Sequence, residues 1–493
     1  MSENLYRSIT KGTSLLGGTQ LFNILISILR GKLVAIFLGP DGMGFSSLLT
    51  SATTTIQSFT SLGLNLSIVK EIASQKDDVN KIQKVIYIAR TLLYITAFLG
   101  ALGCIIFSSQ LSYITFGNYD YKYHFAFLSV MVFFTTLSNG ELSILQGLQA
   151  LKKIVYSSFI GSICGFFVVI PLYYFYSYNG VVPALIIMSL ITYLFYRYYN
   201  IKLLAHTKNH YKWGELKTTA FSMLSLGIIM MCSSILASLC NYGLNTFIRY
   251  FGGLDDVGFF QSVNSITNQC VGPIFTAMGL DYFPRLSAVA SDNLKVREIV
   301  NIQSEIVILI ITPISIALIL FAPLIINILL TEKFISIIPV IRLFGLGLLF
   351  KGISYPLGYI SFSKGDKKTF FYLEGLFGNF YTLLLNCIMF YLYGIIGLGI
   401  SFVLSYIIYF FIIKIITKKK YHFNYNNELR KIILFSIIIV VFSYSCSHID
   451  NKLISNLIIT ALMSLSLIYS IKELNKRISI YKLITNKLFK KNN

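Results

Sequence analysis

Charged residues are scarce in this chain, and their scarcity sets the class of protein. Asp, Glu, Lys and Arg make up 12% of its 493 residues, whereas a soluble domain carries about 25%. Hydrophobic residues make up 55%, which predicts an integral membrane protein. The long apolar runs also lack the alternation of apolar and polar residues that outer-membrane barrel strands show. The sequence therefore predicts an all-α fold of membrane-spanning helices.

The chain also lacks the motifs that would indicate a catalytic or metal centre. Its seven cysteines fall within apolar runs without a C-x-x-C pair, so neither a disulfide framework nor a zinc site is indicated. Its five histidines form no H-E-x-x-H motif, and no G-x-x-x-x-G-K-[ST] loop is present to bind a nucleotide. We therefore expect no metal, no cofactor and no enzymatic activity.

Acidic residues are the scarcer half of the charged set: 20 Asp and Glu stand against 41 Lys and Arg, for a net charge of +21. With the N-terminus in the cytoplasm, the inner segments and adjoining span ends hold 32 basic residues, and the outer loops hold four. The positive-inside rule then places both termini in the cytoplasm. This bias explains the net charge without nucleic acid as a partner, because basic loops attract anionic lipid head groups.

Apolar windows of about 20 residues, bounded by polar residues or by Gly and Pro, predict the membrane spans. The first window is long and leads into a turn, so we interpret it as a retained helix and not as a signal peptide. The windows lie near residues 15–38, 45–68, 85–107, 123–147, 154–176, 182–199, 218–244, 258–281, 301–326, 338–361, 369–392, 397–416, 431–448 and 453–471. The sequence thus predicts about fourteen spans.

Two similar strings, FLGPDGMG at 37–44 and YFGGLDDVG at 250–258, predict an internal repeat. They align at an offset of 214 residues, and TSLGLN at 60–65 pairs with TAMGLD at 276–281. Each string is typical of a tight turn between two helices, because Gly supplies a positive φ and Asp caps a following helix. The predicted turn residues are Gly39, Pro40, Asp41, Gly44, Gly253, Asp255 and Gly258.

The repeat predicts two copies of a six-helix unit. An even number of spans gives both copies the same orientation, which is the parallel arrangement of some transporters. Residues 1–214 then form an N-terminal lobe and residues 215–417 a C-terminal lobe. Residues 418–493 add two helices and a basic cytoplasmic tail, which have no counterpart in either copy.

Several ionisable residues fall inside the predicted spans or at their ends, where an unpaired charge costs about 2.5–3.5 kcal/mol. For each basic residue, a snorkelling side chain or a structural ion pair is the alternative, but as a set they indicate a cavity that attracts anions. The candidates for this substrate-binding cavity are Arg30, Lys32, Arg90, Arg249, Arg342 and Lys351. Acidic residues at similar depth either balance these charges or bind a coupling cation: Glu141, Asp281, Glu305 and Glu374.

Longer segments of the chain resemble a known family. KGTSLLGGTQLFNILISILRGKLVAIFLGPDGMGFSSLLTS, followed by SLGLNLSIVKEIAS, resembles the opening of bacterial O-antigen and related polysaccharide flippases. In the second half, YFGGLDDVGFFQSVNSI, MGLDYFPRLS and ISYPLGYISFSKGDKK support the likeness. These flippases belong to the multidrug/oligosaccharidyl-lipid/polysaccharide exporter superfamily. The resemblance implies two six-helix lobes in a V-shaped, MATE-like transporter that works by alternating access.

The resemblance also implies a substrate, partners and a location. The substrate would be an undecaprenyl-pyrophosphate-linked oligosaccharide, moved from the inner to the outer leaflet of the bacterial cytoplasmic membrane. By this likeness, Arg30, Lys32 and Arg249 fall where such flippases keep cationic cavity residues. Further expected partners are a coupling cation (H⁺ or Na⁺), membrane lipids and a polysaccharide polymerase complex. Fourteen spans are more than many O-antigen flippases have, so a lipid II-type flippase is an alternative.

Two other functions stay open at this point. A multidrug/cation antiporter of the same fold would favour an acidic cavity, whereas basic residues at depth are at least as numerous here. A membrane polysaccharide polymerase needs an external catalytic loop, and the longest predicted outer loop has about 15 residues. A flippase needs to shelter only the diphosphate and the sugars, since the prenyl tail is stable in lipid.

Overall fold

The computed structural model describes residues 3–61, 63–74, 79–203, 213–278 and 282–478, and within these ranges the chain is helical, without a β-strand. The α-helices in chain order are α1 (Glu3–Thr60), α2 (Leu64–Ser74), α3 (Val79–Ile106), α4 (Ser108–Phe116), α5 (Lys122–Gly147), α6 (Leu151–Tyr176), α7 (Val181–Leu203), α8 (Trp213–Gly252), α9 (Leu254–Ala277), α10 (Phe283–Ala288), α11 (Asn293–Leu329), α12 (Ile338–Ser363), α13 (Lys367–Phe370), α14 (Gly378–Tyr421), α15 (Asn427–Cys446) and α16 (Lys452–Ile478). A π-helix, Phe371–Phe377, connects α13 to α14.

Eight stretches of the described chain are long and apolar enough to cross a membrane. Two of them, 152–201 and 368–421, each contain two helical segments, which are separated at Ser177–Gly180 and at Gly394. The all-α membrane fold predicted from the sequence is confirmed, and the chain is a multi-pass membrane protein. The count of fourteen spans stays a prediction.

Contacts within the chain define two compact units. Unit 1 comprises Met1–Gly258 with Leu329–Thr331, and unit 2 comprises Phe259–Ile328 with Glu332–Asn493. In unit 1, α5 packs against α3 and α7, while α8 packs against α1 and α2. In unit 2, α12 packs against α14 and α15, and α15 packs against α16. The predicted lobes divide the chain after residue 214 instead, and they stay a prediction about the repeat.

Glycines on α5 let this helix approach α2 and α3 closely. A Cβ atom added to Gly140 would lie 2.1 Å from Cδ1 of Leu93, and one added to Gly147 would lie 2.8 Å from Cβ of Ile72. Both neighbours are buried, so these contacts form part of the apolar core of unit 1. Small residues at helix crossings are typical of membrane proteins, where close van der Waals packing holds helices together. The short separation also brings Glu141, which follows Gly140, towards α3.

The two turn strings contain a backbone break at equivalent places. Gly39 interrupts α1 with φ 65° and ψ −170°, and Pro40 then begins the second segment, where its missing N–H is not needed. Gly253, with φ 103°, separates α8 from α9. Asp41 and Asp255 lie in the first turn after each break and are exposed, where a carboxylate interacts favourably with a helix N-terminus.

The two turns contact each other within unit 1. A Cβ atom added to Gly44 would lie 2.0 Å from the carbonyl oxygen of Leu254, and one added to Gly258 would lie 2.0 Å from that of Pro40. At the repeat offset of 214, Gly44 pairs with Gly258, and Pro40 pairs with Leu254. The contact is therefore reciprocal, since positions that the predicted repeat makes equivalent meet each other. Only glycine allows the backbones to approach this closely.

We expect Gly44→Ala and Gly258→Ala each to destabilise the protein by about 1–3 kcal/mol, because the added methyl group overlaps a carbonyl oxygen that belongs to backbone. The measurement is the thermal unfolding midpoint of the purified protein. Gly243→Ala on α8 is the matched control, since nothing lies within 4 Å of its Cβ position, and alanine there favours the helix by about 0.5–1 kcal/mol. Equal midpoints for Gly44→Ala and Gly243→Ala would contradict the reciprocal contact.

Candidate functional site

Arg30 is a partly buried cation in unit 1 with a weak partner. It lies on α1, and its NH1 atom lies 3.2 Å from Sδ of Met188 on α7. In the part of the chain that the structure describes, this thioether is the only acceptor within hydrogen-bond distance of Arg30. A thioether sulfur accepts hydrogen bonds weakly. Among the described residues, most donors of the guanidinium therefore have no acceptor.

Arg249, in the last turn of α8, is a second basic residue of unit 1 that lacks a strong hydrogen-bond acceptor among the described residues. Its Cζ atom lies 6.0 Å from the ring centroid of Phe116, at a distance where a cation is attracted to an aromatic face. Among the described residues, no hydrogen-bond acceptor lies within reach of its guanidinium. A hydrogen bond of 2.6 Å between Thr115 and Tyr242 ties α4 to α8 close by. Arg249 thus contacts an aromatic ring, and its N–H donors have no acceptor within the described ranges.

Lys32 differs from Arg30, although both were predicted to line the same cavity. Its Nζ donates to the backbone carbonyl of Leu330, and it makes a further interaction. Residues two apart on a helix point about 200° apart, so Lys32 and Arg30 face different neighbours. Lys32 thus donates to a strong acceptor, a backbone carbonyl, whereas Arg30 donates to a thioether.

Arg90, Glu141, Arg197 and Asn200 form a polar cluster, here called the Glu141 cluster, which joins α3, α5 and α7. The Glu141 carboxylate accepts from Nε and NH2 of Arg90 at 2.9 and 3.1 Å, and from NH1 of Arg197 at 2.7 Å. Nδ2 of Asn200 donates to the same carboxylate at 2.5 Å. The Glu141 side chain is 4% exposed, and those of Arg90 and Arg197 are 21% and 27% exposed.

The Glu141 cluster contains two residues for which the sequence predicts separate roles. Arg90 was a candidate for substrate binding and Glu141 for ion coupling, yet the structure bonds them to each other. Both carboxylate oxygens are occupied, so Glu141 offers no open site to a cation. The structural ion pair, which the sequence left open as an alternative, describes this arrangement.

Removing the charge from the Glu141 cluster is expected to destabilise the protein. Glu141→Gln leaves two arginines without their counter-ion, and breaking a buried pair costs about 3–5 kcal/mol; partial exposure of the arginines places the effect near the lower end. Glu298→Gln is the control, because Glu298 is exposed on α11 and exposed charges contribute little. A thermal unfolding midpoint that Glu141→Gln changes no more than the control would contradict the structural role.

In unit 2, the two predicted cations on α12 have found different partners. Nζ of Lys351 lies 5.1 Å from the ring centroid of Phe275 and 5.6 Å from that of Tyr406. NH1 of Arg342 donates to the carbonyl oxygen of Ser447 at 3.0 Å, just after α15, where a cation interacts favourably with the helix dipole. Arg342 thus attaches the appended α15 to α12, whereas Lys351 sits among aromatic rings.

Glu374 lies in the π-helix between α13 and α14, a type of helix defect that is frequent at functional sites. Its carboxylate accepts from the hydroxyl of Tyr409, and it has no cationic partner among the described residues. Gly358 on α12 leaves space for it, since a Cβ atom there would lie 2.8 Å from Oε1 of Glu374. Asn379 donates to the backbone carbonyls of Glu374 and Gly375 at 3.2 and 2.7 Å, which satisfies groups that the π-helix leaves open.

The remaining acidic candidates are less open. Glu305 on α11 is 5% exposed and accepts from Nδ2 of Asn426 at 3.3 Å. Asn426 in turn caps α15 by accepting from the backbone N–H of Leu429 at 2.7 Å, so Glu305 helps to fix the start of that helix. Asp281 lies outside the described residues. In the ranges that the structure describes, no group of three His, Cys, Asp or Glu residues could hold a metal ion.

Sequence reasoning missed Arg197, Asn200 and Tyr409. Arg197 stands at the cytoplasmic end of its apolar run and was counted with the topogenic charges of the next loop. A signal was present, because Arg197 and Asn200 are three apart and share one helix face. Tyr409 carries no such signal among the 33 tyrosines of the chain.

Comparison with known proteins identifies the family. The family described as polysaccharide biosynthesis protein matches residues 33–339, more than half of the chain. The chain belongs to this family. The matched range contains both turn strings, the Glu141 cluster and Arg249, and Arg30 lies just before it.

Relatives and solved structures agree with this family. The Lipid III flippase of Escherichia coli (strain K12) is 21% identical over 411 residues, which is 82% of this chain and 96% of that protein. The lipid II flippase MurJ in an inward closed conformation has the same fold, with a TM-score of 0.71 and 14% identity, over 94% of this chain and 99% of that one. A multidrug resistance MATE family transporter of the MOP superfamily, inward-facing, gives a TM-score of 0.64 and 17% identity, over 83% and 96%. The matching family and the flippase relative confirm the resemblance to polysaccharide flippases, and the two solved structures confirm the fold.

Proposed function

We propose that this protein is a flippase that moves an undecaprenyl-pyrophosphate-linked oligosaccharide, an O-antigen or related surface polysaccharide repeat unit, from the inner to the outer leaflet of the bacterial cytoplasmic membrane. Family membership and the similarity to a lipid III flippase over 82% of the chain support it. The observation that carries the proposal is the partly buried guanidinium of Arg30, whose one hydrogen-bond acceptor among the described residues is a thioether. Alternating access of the two predicted lobes would move the head group.

The chemistry of the substrate matches these free donors. A diphosphate is anionic and rich in acceptors, and arginine binds such groups through paired, charge-assisted hydrogen bonds. Arg30 and Arg249 both have such donors to give. A cationic drug would be repelled by the same residues, which favours an anionic substrate over the multidrug/cation antiporter. The prenyl tail requires no polar shelter, because it stays in the hydrocarbon.

The membrane potential favours the proposed direction. With the inside negative, each negative charge that moves outwards gains about 2.3 kcal/mol per 100 mV. A cation moving inwards would add to this, and Glu374 is our candidate for binding it, because its one described side-chain partner is the hydroxyl of Tyr409. Both termini then lie in the cytoplasm, as the distribution of basic residues predicts.

Arg30→Ala and Arg249→Ala should each reduce the surface polysaccharide made by a strain that depends on this protein, at unchanged protein level. Loss of charge-assisted hydrogen bonds worth about 1.5–3 kcal/mol weakens binding roughly tenfold to a hundredfold. Arg30→Lys should recover only part, because an ammonium lacks the planar fork. Arg430→Ala is the control, since Arg430 is exposed at the start of α15.

The same assay identifies the glycan when it is carried out in strains that each lack one defined flippase. We expect this protein to restore surface polysaccharide in the strain that lacks an O-antigen flippase. Rescue of a strain without its lipid II flippase instead would favour the alternative substrate. Normal polysaccharide in both arginine variants would contradict the proposed binding role.

Glu374→Gln should reduce gradient-driven uptake of a labelled lipid-linked oligosaccharide into inverted membrane vesicles by about tenfold, because the amide cannot carry the charge that pairs with a cation. Tyr409→Phe should change the ion dependence in the same direction but less. Glu305→Gln tests the second candidate, and Glu298→Gln, at an exposed position of α11, is the control. If the unaltered protein takes up the labelled substrate at the same rate with and without an ion gradient, ion coupling is refuted.

A further inference from the structure

A groove with a volume of about 850 Å³ opens on the surface of unit 2, between the π-helix segment and the last turns of α14. One end carries Lys368 and Lys420, and the rest of its wall is mainly apolar, with Leu376, Phe380 and Ile412 among the lining residues. We call it the lysine groove. Nothing in the proposed transport of sugars uses it.

The length of the lysine groove matches one leaflet of a bilayer. With a helical rise of at most 1.5 Å per residue, Lys368 and Phe380 lie no more than roughly 18 Å apart along the helix axis. Half of a hydrocarbon core of about 30 Å is roughly 15 Å. Acyl chains of a phospholipid fit this depth, whereas an undecaprenyl chain is far longer than one leaflet.

The head-group end of the lysine groove is positively charged. Nζ of Lys420 lies 2.5 Å from Oδ2 of Asp366, which fixes this ammonium in place. Burial raises the pKa of the Asp366 carboxyl, but hydrogen bonds, first that from Lys420, outweigh the effect and hold the pKa below its usual range. Lys368 is exposed and has no counter-ion in the described part of the chain. Its charge is available to an anion at the membrane surface.

We propose that the lysine groove binds one phospholipid with an anionic head group, which places its phosphate at Lys368 and Lys420 and its acyl chains against Leu376, Phe380 and Ile412. Three features support this ligand: a groove that is open on the surface of unit 2, a depth of about one leaflet, and an end with lysines that the predicted topology places near the head groups. By the predicted topology, the lipid belongs to the cytoplasmic leaflet. The proposal is independent of which glycan is transported.

Quenching of a single tryptophan by brominated lipids tests the proposal on the full-length protein in vesicles. Trp213 is the only tryptophan, so Trp213→Phe with Phe380→Trp gives one reporter, which lies in the groove. We expect brominated phosphatidylglycerol to bind at this reporter roughly fivefold more strongly than brominated phosphatidylcholine, the effect of about one lysine near an anionic lipid. Phe377→Trp is a second reporter that lines the same groove and should give the same preference.

Matched variants on α15 and α3 separate the groove from general attraction to a basic surface. Lys368→Glu should abolish the preference at the Phe380→Trp reporter, whereas Lys431→Glu, at an exposed position near the start of α15, should leave it unchanged. Phe98→Trp, an exposed position on α3 without a Lys or Arg within seven residues of sequence, should show no preference of this size. Equal quenching by both lipids in the groove, or a preference that survives Lys368→Glu, would overturn the proposal. Displacement of phosphatidylglycerol by equimolar undecaprenyl phosphate would also overturn it in favour of the prenyl lipid.

Discussion

An ionised side chain in an apolar medium must have a partner, because its desolvation is costly, and this constraint organises the charges of the chain. The arginines of the Glu141 cluster share one carboxylate, and Arg342 binds the carbonyl end of a helix. Lys351 rests among aromatic rings. Against this background Arg30 and Arg249 stand out, since their donors face a thioether and a phenyl ring. A diphosphate would accept hydrogen bonds from these two arginines, as the Glu141 carboxylate does from Arg90 and Arg197.

Unit 2 meets the same constraint with hydroxyl groups. The carboxylate of Glu374 is held by Tyr409, and the π-helix that carries it is stabilised by the Asn379 side chain. A carboxylate held by a neutral donor could bind and release a cation without breaking a salt bridge. Among the described residues, the two units thus differ: unit 1 holds two arginines without a counter-ion, and unit 2 holds an acid without one.

Much of the fold could be predicted from the sequence, because long apolar runs leave little choice but a helix and Gly39 and Gly253 mark where the chain must bend. Pairing could not be predicted in the same way. Arg90 and Glu141 are 51 residues apart, and whether they meet depends on how closely α5 approaches α3, an approach that Gly140 permits. The sequence shows that a charged residue falls within a membrane span, but it does not show whether that residue has an ion-pair partner in the fold. The membership of α8 in unit 1 was also beyond the sequence, since a repeat reveals kinship of segments and not their contacts.

The reciprocal contact of Gly44 with Leu254 and of Gly258 with Pro40 has a consequence for how this architecture can evolve. After a gene segment is duplicated, its copies are usually released to diverge separately. If the predicted repeat arose in this way, its two turns are not independent, because each glycine packs against the backbone of the other turn and a larger residue there would overlap it. The two turns can then change their charged residues but must keep the same backbone shape at this contact.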